Sequence, residues 1–501
     1  MTLFNRRAFL AGLAVSAALP NLAAAEPRPK PRPIAALTTG AVSAPLTTTD
    51  ELIAKANLGA DVSYAAFDLA SGEMIDERMP TMSMAPASTL KTVTALYALA
   101  KLGPNHRFTT SVIRSGDMLV LVGGADPELD TDGLAELAKT AAAAEKAAGR
   151  AAPKRFGVWA GSLPYLAEIS EGQAVHLAYN ATVSGIILNF NRVYFGWKRG
   201  AKSYDMTLEA RGSGVSPVAN GFAISAVDRG MPLFTYDGTG GKENWTISRQ
   251  SMGKSGSRWL PVRRPDLYAA DVFRTVAKAQ GLTLPEVTVL TDRPEGEVLA
   301  RRESAPLTDL LRRMLKYSNN LTAEVVGLSA SGKPTLVTSA AEMESWLRAQ
   351  GVTGDFHFRD HSGLAPDNRV TAQMMAQTMM SVGQSEGLRP MMKHVPLRKV
   401  KGQPDNPKKL QIEAKTGTLN FVSNLAGYAT DESGRQIAFC VLTGDETRRA
   451  ATEGREMPDG VISWTRRSKN LQQSLIENWM ERRPKSAPVA EPSQSAMAGA
   501  G

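Results

Sequence analysis

The chain has 501 residues, of which 43% are hydrophobic, 21% are charged and one is a cysteine. This length allows two or three domains with sizeable cores, and the single cysteine, Cys440, excludes an intramolecular disulfide framework. The formal net charge of +9 predicts attraction to anionic surfaces. The basic residues are scattered and no recognised nucleic-acid motif accompanies them, so no nucleic-acid partner is expected.

Residues 1–25 have the pattern of a bacterial export signal. Arg6 and Arg7 precede an apolar run from Leu10 to Leu19, and small residues follow. The paired arginines favour the twin-arginine route, with an ordinary secretory signal as the alternative, and the apolar run is too short to span a membrane. The pattern predicts a periplasmic protein whose positive charge would meet anionic surfaces of the envelope.

Composition and apolar periodicity divide the rest of the chain into segments. They are a proline-rich linker (26–48), a discontinuous main domain (49–110 and 290–482), an inserted region of mostly β or mixed structure (111–289) and a disordered tail (483–501). Within the main domain, the apolar strand pattern 437–442 contains Cys440, which is therefore predicted to be a small core residue.

The stretch 85–104 predicts a buried helix that carries a reactive serine near its N-terminus. Apolar residues recur there at helical spacing, and Gly103 provides the stop. Ser88 and Lys91 are three residues apart and so share one helix face, at the end where the dipole favours negative charge. Lysine acts as a base only when it is neutral. Lowering its pKa from about 10.4 to about 7 corresponds to roughly 4 to 5 kcal/mol, which burial and a second cation would supply.

Three short motifs follow one another along the chain. They are Ser88-Thr89-Leu90-Lys91, Ser318-Asn319-Asn320 and Lys415-Thr416-Gly417. The first two are weak alone, because segments beginning at Ser251 and at Ser468 fit the same patterns. Ser251 has no apolar helical run behind it, and Ser468 follows the third motif. Order and context together make the combination specific.

The three motifs resemble those of penicillin-recognising serine enzymes. The sequence 415–428 narrows the resemblance to the D-alanyl-D-alanine carboxypeptidase/endopeptidase family of class C low-molecular-mass penicillin-binding proteins, and 122–127 and 189–193 are similar in kind. The resemblance implies an α/β (α+β) fold, in which a transpeptidase-like domain has an antiparallel sheet flanked by helices and carries inserted domains. It also implies a serine peptidase that acts on peptidoglycan stem peptides through an acyl-enzyme, with β-lactams as covalent inhibitors and no cofactor.

The resemblance assigns catalytic roles to five residues. Ser88 would be the acylated nucleophile and Lys91 its general base. Ser318 would relay a proton between Lys91 and the leaving group, assisted by the charge of Lys415. Asn320 would hold the substrate backbone.

The third motif and its flank would bind the substrate. Thr416 and Thr418 would receive the terminal carboxylate, and the N–H groups of Ser88 and Thr418 would form the oxyanion hole. Gly417, between the two threonines, would let another backbone approach closely.

Three alternative functions match only part of this pattern. A β-lactamase shares the three motifs, but it lacks so large an insertion and needs a deacylation base that the sequence does not reveal. A non-catalytic peptidoglycan-binding module has no chemical need for the complete set. A metal site at His357 and His361 has no evident third ligand.

His361 itself stands where the family usually has glycine, and Ala365-Pro366 stands where Ser-Arg is common, so the sequence does not define recognition of the stem-peptide side chain.

Overall fold

The computed structural model describes residues 47–398 and 409–482. The predicted export signal, the linker up to residue 46 and the predicted tail lie outside the described residues. Thr48, the last residue of the predicted linker, caps the first helix: its hydroxyl accepts the Glu51 N–H, and the Glu51 carboxylate accepts the Thr48 N–H. No helix of 47–398 or 409–482 is long and apolar enough to cross a membrane.

A six-stranded antiparallel sheet joins the two ends of the described chain. Strands and helices are numbered in chain order, and the spatial order in this sheet is β14 (Lys393–His394), β15 (Gln411–Leu419), β16 (Val422–Thr430), β17 (Gln436–Gly444), β1 (Asp61–Asp68) and β2 (Met74–Arg78). Nearly every residue of β16 and β17 is buried. Alternating side chains of these strands therefore enter two separate cores, one on each face of the sheet.

Helices cover both faces. On one face lie α1 (Thr49–Ala56) and α11 (Val461–Glu481), with Trp464 and Trp479 buried against the sheet. The other face packs against the main helical layer, which consists of α2 (Lys91–Leu102), α5 (Leu307–Tyr317), α6 (Asn320–Ser331), α7 (Leu336–Ala349), α8 (Ala372–Met380) and α9 (Val382–Ser385). The short α10 (Glu446–Ala451) follows β17. Cys440 lies in this second core, where burial raises the pKa of its thiol, so the predicted core cysteine is confirmed.

Three further sheets form between α2 and α5. The largest has the order β12 (Val287–Leu290), β5 (Arg155–Trp159), β4 (Met118–Val122), β3 (Thr109–Ser115) and β13 (Glu297–Glu303). One small sheet contains β11 (Ser255–Pro261), β6 (Arg192–Arg199) and β7 (Tyr204–Glu209), and the other contains β8 (Phe222–Val227), β10 (Glu243–Ser248) and β9 (Phe234–Asp237). Together with α3 (Thr131–Ala147) and α4 (Pro265–Ala279) they share one core.

The predicted fold class is confirmed: helices flank an antiparallel main sheet in a mixed α/β structure. The division into domains stays a prediction. Strands β3 and β13 pair with each other. β3 begins before the predicted limit of the insertion at 111, and β13 lies wholly beyond the predicted limit at 289. A division drawn from strand pairing would therefore fall near 109 and 303.

Candidate active site

Ser88 lies on a short 3₁₀ turn, Ala87–Leu90, that continues directly into α2 at Lys91. A 3₁₀ turn has three residues per turn, so side chains three positions apart eclipse one another. Lys91 Nζ accordingly donates a 2.9 Å hydrogen bond to Ser88 Oγ. The α-helix begins later than the sequence predicts, but the two side chains share a face as expected.

Lys91 is completely buried, and its ammonium nitrogen has three acceptors. Besides Ser88 Oγ, Nζ donates to Asn320 Oδ1 at 2.7 Å and to the Ser362 carbonyl at 2.7 Å. Asn320 is the first residue of α6, and its Nδ2 donates to the Tyr179 carbonyl at 3.0 Å. Because a carbonyl can only accept, this bond turns the amide oxygen of Asn320 toward Lys91.

Burial lowers the pKa of Lys91 to about 8, against the opposing charges of Asp360 and Glu324, which raise it. The sequence predicts this lowering from burial and from repulsion by a second lysine, and burial is its main cause. Burial, then repulsion by Lys91 and Lys393, holds the pKa of Lys415 well below its ordinary value. Burial thus favours the neutral, basic form of both lysines.

Ser318 and Lys415 form a second hydroxyl–lysine pair. Lys415 Nζ donates to Ser318 Oγ at 2.9 Å and to the Thr416 carbonyl at 2.7 Å, and its side chain is only 2% exposed. Ser318 directly follows α5 and has a φ of 58°. A residue other than glycine in the left-handed region is uncommon and marks a position over-determined by its surroundings. This conformation ends α5 and precedes the Asn319 cap of α6.

Gly417 brings strand β15 against the serine turn. A methyl group at this position would lie 2.8 Å from the Pro86 carbonyl oxygen and 3.1 Å from Ala87 Cβ. On the neighbouring strand, Asn424 Nδ2 donates to the carbonyls of Ala85 and Pro86 at 2.8 and 2.9 Å. The prediction that this glycine allows a close backbone approach is confirmed. Thr416 is half-buried and Thr418 is exposed on the same strand.

The inserted region reaches the site through the loop that carries Tyr179. Arg263 holds this loop, since its guanidinium donates to the carbonyls of Ala167, Val175 and Asn180. The sequence gives no sign of this contact, because the group that meets Asn320 is a backbone carbonyl.

Glu324 is the second feature that sequence reasoning missed. It is fully buried on α6 and accepts the N–H groups of His361 and Ser362, both at 2.9 Å. A signal was present, because Glu324 is the one charged residue of helix α6, which is otherwise uncharged and largely buried.

The histidines have ordinary structural partners. The His361 ring is buried and shares a 2.6 Å hydrogen bond with Ser339 Oγ, and burial lowers its pKa to about 3. His357 Nδ1 lies 3.3 Å from Glu344. In the part of the chain that the structure describes, no group of three or more His, Cys, Asp or Glu side chains could hold a metal ion.

Two other serines, Ser251 and Ser468, begin segments that fit the first two motif patterns, but they lie outside this site. Ser251 Oγ donates to the Ser248 carbonyl at 2.7 Å within a 3₁₀ turn, and Ser468 is buried on α11 with Thr443 Oγ1 at 2.8 Å. The structure thus brings together Ser88, Lys91, Ser318, Asn320 and Lys415, and it holds the strand of Thr416, Gly417 and Thr418 beside them.

A protein-family model matches residues 46–468 of the chain. The chain belongs to the D-Ala-D-Ala carboxypeptidase 3 (S13) family. Membership of this peptidase family makes the protein a hydrolase and confirms the resemblance drawn from the motifs.

Curated relatives agree with the S13 assignment over most of the chain. A D-alanyl-D-alanine carboxypeptidase of Actinomadura sp. is 26% identical over 462 residues, covering 80% of this chain and 84% of the relative. A carboxypeptidase of Mycobacterium tuberculosis is 26% identical over 421 residues, covering 79% and 78%.

A solved structure supports the fold. The crystal structure of penicillin-binding protein 4 from Haemophilus influenzae superposes with a TM-score of 0.66 at 20% identity, covering 85% of this chain and 100% of that one. A second structure of the same protein, in complex with a β-lactam, gives a TM-score of 0.65 at 20% identity, with 86% and 99% covered. At this identity the likeness shows that the S13 chain shares the fold.

Proposed function

We propose that this protein is a serine D-alanyl-D-alanine carboxypeptidase that also acts as a D,D-endopeptidase on peptidoglycan stem peptides. One observation carries the proposal: Lys91, buried and with a lowered pKa, lies 2.9 Å from the Ser88 hydroxyl. Neutral lysine at this distance is a general base for the hydroxyl, and a positioned base contributes typically ~10²–10⁴-fold to rate. Membership of the S13 family supports the same reaction.

Acylation would begin at Ser88. Lys91 Nζ takes the hydroxyl proton while Oγ forms a bond to the carbonyl carbon of the penultimate D-alanine. The carbonyl π electrons move to oxygen, and the N–H groups of Ser88 and Thr418 would stabilise the resulting oxyanion. Loss of one such donor costs on the order of 3 kcal/mol.

Release of the leaving group would use the second hydroxyl–lysine pair, Ser318 and Lys415. The carbon–nitrogen bond breaks, and the terminal D-alanine leaves as an amine after its nitrogen receives a proton from Ser318 Oγ. Lys91, which holds the proton from Ser88, passes it to Ser318 and becomes neutral again, and Lys415, 2.9 Å from Ser318 Oγ, assists this transfer. Lys91 then takes a proton from a water molecule whose oxygen attacks the acyl carbon, the ester carbon–oxygen bond breaks, and Lys91 gives that proton to Ser88 Oγ.

Recognition of the substrate would come from strand β15. Thr416 and Thr418 occupy alternate positions on the strand, and Thr418 is exposed. Their hydroxyls would bind the terminal carboxylate of the stem peptide, close to the charge of Lys415. A β-lactam carboxylate would bind at the same place. Acylation of Ser88 would then make β-lactams covalent inhibitors.

The same acylation site would serve endopeptidase activity, in which the leaving amine belongs to a neighbouring stem peptide. This substrate lies in the bacterial envelope, in agreement with the export signal predicted at residues 1–25. We therefore propose a periplasmic location, with the net charge of +9 favouring association with anionic surfaces there.

Release of D-alanine from a diacylated L-Lys-D-Ala-D-Ala peptide tests the proposal. The chain from residue 26 and its Ser251→Ala variant should release D-alanine at equal rates, whereas Ser88→Ala should lose at least about a thousandfold. Ser251 is a matched control because it begins a segment that fits the first motif pattern but lies outside the site. Activity retained in Ser88→Ala, or none in the unaltered chain, would refute the proposal. Faster turnover of benzylpenicillin than of peptide would favour a β-lactamase instead. Cleavage of cross-linked muropeptides measures the endopeptidase activity relative to the carboxypeptidase activity.

A further inference from the structure

The loop 360–363 lies directly behind Lys91 and presents the Ser362 carbonyl to it at 2.7 Å. Asp360 shapes this turn, because its carboxylate accepts the N–H groups of Gly363 at 2.8 Å and Leu364 at 2.9 Å. Gly363 has a φ of 78°, and a methyl group there would lie 1.9 Å from the Ala87 carbonyl oxygen. The turn is therefore packed directly against the segment that carries Ser88.

Glu324 ties this turn to helix α6. One of its carboxylate oxygens accepts the Ser362 N–H and the other accepts the His361 N–H, both at 2.9 Å. Asn320, whose side-chain oxygen contacts Lys91, lies four residues earlier on the same helix. Residues at this spacing lie on one helix face. A single rigid helix thus sets the positions of two of the three acceptors around Lys91 Nζ.

The chemical nature of the three acceptors decides where the lone pair of neutral Lys91 points. A neutral amine has two N–H donors and one lone pair. Asn320 Oδ1 and the Ser362 carbonyl can only accept, so they take the two N–H groups. Ser88 Oγ is the one partner with a proton to give, and the lone pair is left facing it.

We propose that Glu324 is a positioning residue for the general base: by holding the His361–Ser362 backbone on helix α6, it keeps the Ser362 carbonyl on Lys91 and directs the lysine lone pair at the Ser88 hydroxyl. This inference rests on the proposed function, because it assigns Glu324 a part in the acylation of Ser88. Glu324 itself acts through Lys91 and touches neither Ser88 nor substrate.

The Glu324→Gln variant tests this role. Glutamine has one acceptor oxygen in place of two, so one of the two loop N–H groups loses its partner. The first-order acylation rate with benzylpenicillin should fall about 10- to 100-fold, while the dissociation constant of the initial complex stays within about twofold. The matched control is Glu145→Gln, which likewise removes a buried carboxylate but lies in the inserted region, where Glu145 pairs with Arg114 and Arg150.

A pH profile separates positioning from loss of stability. The titratable groups that face Lys91 are Glu324 of α6, Asp360 of the loop and Lys415 of β15, and burial keeps the nearby His361 ring neutral. Burial, then the charge of Asp360, raises the pKa of Glu324 to about 8, so its carboxyl group ionises in the pH range in which Lys91 loses its proton. The ionised carboxylate favours the ammonium form of Lys91, and Glu324→Gln removes that charge. The acid limb of the acylation profile should therefore move to lower pH, whereas a loosened fold lowers the rate equally at every pH.

A second variant tests the same role if Glu324→Gln does not fold. Thr94 Oγ1 donates to the His361 carbonyl at 2.6 Å, so Thr94→Val removes another tether of the same peptide group and should slow acylation about three- to tenfold. Rates within twofold of the unaltered chain in whichever of these variants folds would overturn the positioning role. If the unaltered chain is not acylated at all, the proposed function fails as well, which distinguishes the two failures.

Discussion

Asn320 and Lys91 share a 2.7 Å hydrogen bond whose direction is set from outside the pair, because the Tyr179 carbonyl engages the amide nitrogen of Asn320 on its other side. Helix α6 thus contacts the general base, Lys91, on α2. The inserted region fixes the orientation of the Asn320 side-chain amide that makes this contact. The contact explains how a segment far from the motifs in sequence takes part in the geometry of Lys91.

Replacing Asn320 by aspartate tests the electrostatic side of this contact. A carboxylate 2.7 Å from Lys91 Nζ favours the ammonium form, so the pKa of the base rises. The acid limb of acylation should move up by at least one pH unit, with a rate near pH 7 about tenfold lower. Stopped-flow acylation by a chromogenic β-lactam measures both quantities. Asn244→Asp, at a half-buried residue of the inserted region whose side chain donates to the Lys242 carbonyl, should leave the profile unaltered. An acid limb that does not move in Asn320→Asp would contradict this role of Asn320.

The unaltered protein should show its own pH dependence. Because burial lowers the pKa of Lys91 to about 8, the protonated, inactive form dominates below this pH. The acylation rate should rise about tenfold per unit as the pH increases from 6 to 7, and level off above about 8. Circular dichroism at each pH controls for unfolding. A rate that stays constant from pH 6 to 9 would show that Lys91 is not the base.

Gly417 provides a steric test of the strand that would bind substrate. In Gly417→Ala the new methyl group meets the Pro86 carbonyl at 2.8 Å, so β15 must move away from the Ser88 turn. We expect at least a tenfold loss of acylation rate with a fall in Tm of a few degrees. Gly253→Ala is the matched control, since nothing lies within 4 Å of a methyl group there and its φ is not positive. Equal rates in the two variants would show that the close approach is unimportant.

Arg435 links the sheet to the last helix and offers a test of stability alone. Its guanidinium pairs with the buried Asp68 at 3.0 Å and donates to the carbonyls of Met480 and Arg482 at the end of α11. Arg435→Met leaves Asp68 without its partner and should lower the free energy of unfolding by about 3 kcal/mol. Arg249→Met, which breaks an exposed pair with Asp228, should cost about 1 kcal/mol or less. Denaturant titration measures both, and equal costs would contradict this assignment.

Local pattern was enough to predict the parts of the site that follow from spacing and order. The Ser88–Lys91 pair follows from a three-residue interval, and the close approach at Gly417 follows from a glycine inside a strand pattern. The buried strand around Cys440 follows from a continuous apolar run. In each case neighbours in sequence determine the feature.

The remaining contacts depend on tertiary structure and leave weaker traces. The Ser362 and Tyr179 carbonyls contact the site through the backbone, which any residue supplies, so no side-chain pattern points to them. Burial was expected to lower the pKa of Lys91, but the extent of that burial depends on how α2, α6 and the loop 360–363 pack. Glu324 was visible as the lone charged residue of helix α6, but its partners are 37 and 38 residues away in sequence.

The identity of the acylated residue is the central claim, and mass spectrometry after incubation with benzylpenicillin measures it directly. The account predicts one penicilloyl group per chain, mapped by peptide analysis to the peptide that contains Ser88. The adduct should be absent in Ser88→Ala and unchanged in Ser251→Ala. A folded chain that carries no adduct, or an adduct on any residue other than Ser88, would contradict it.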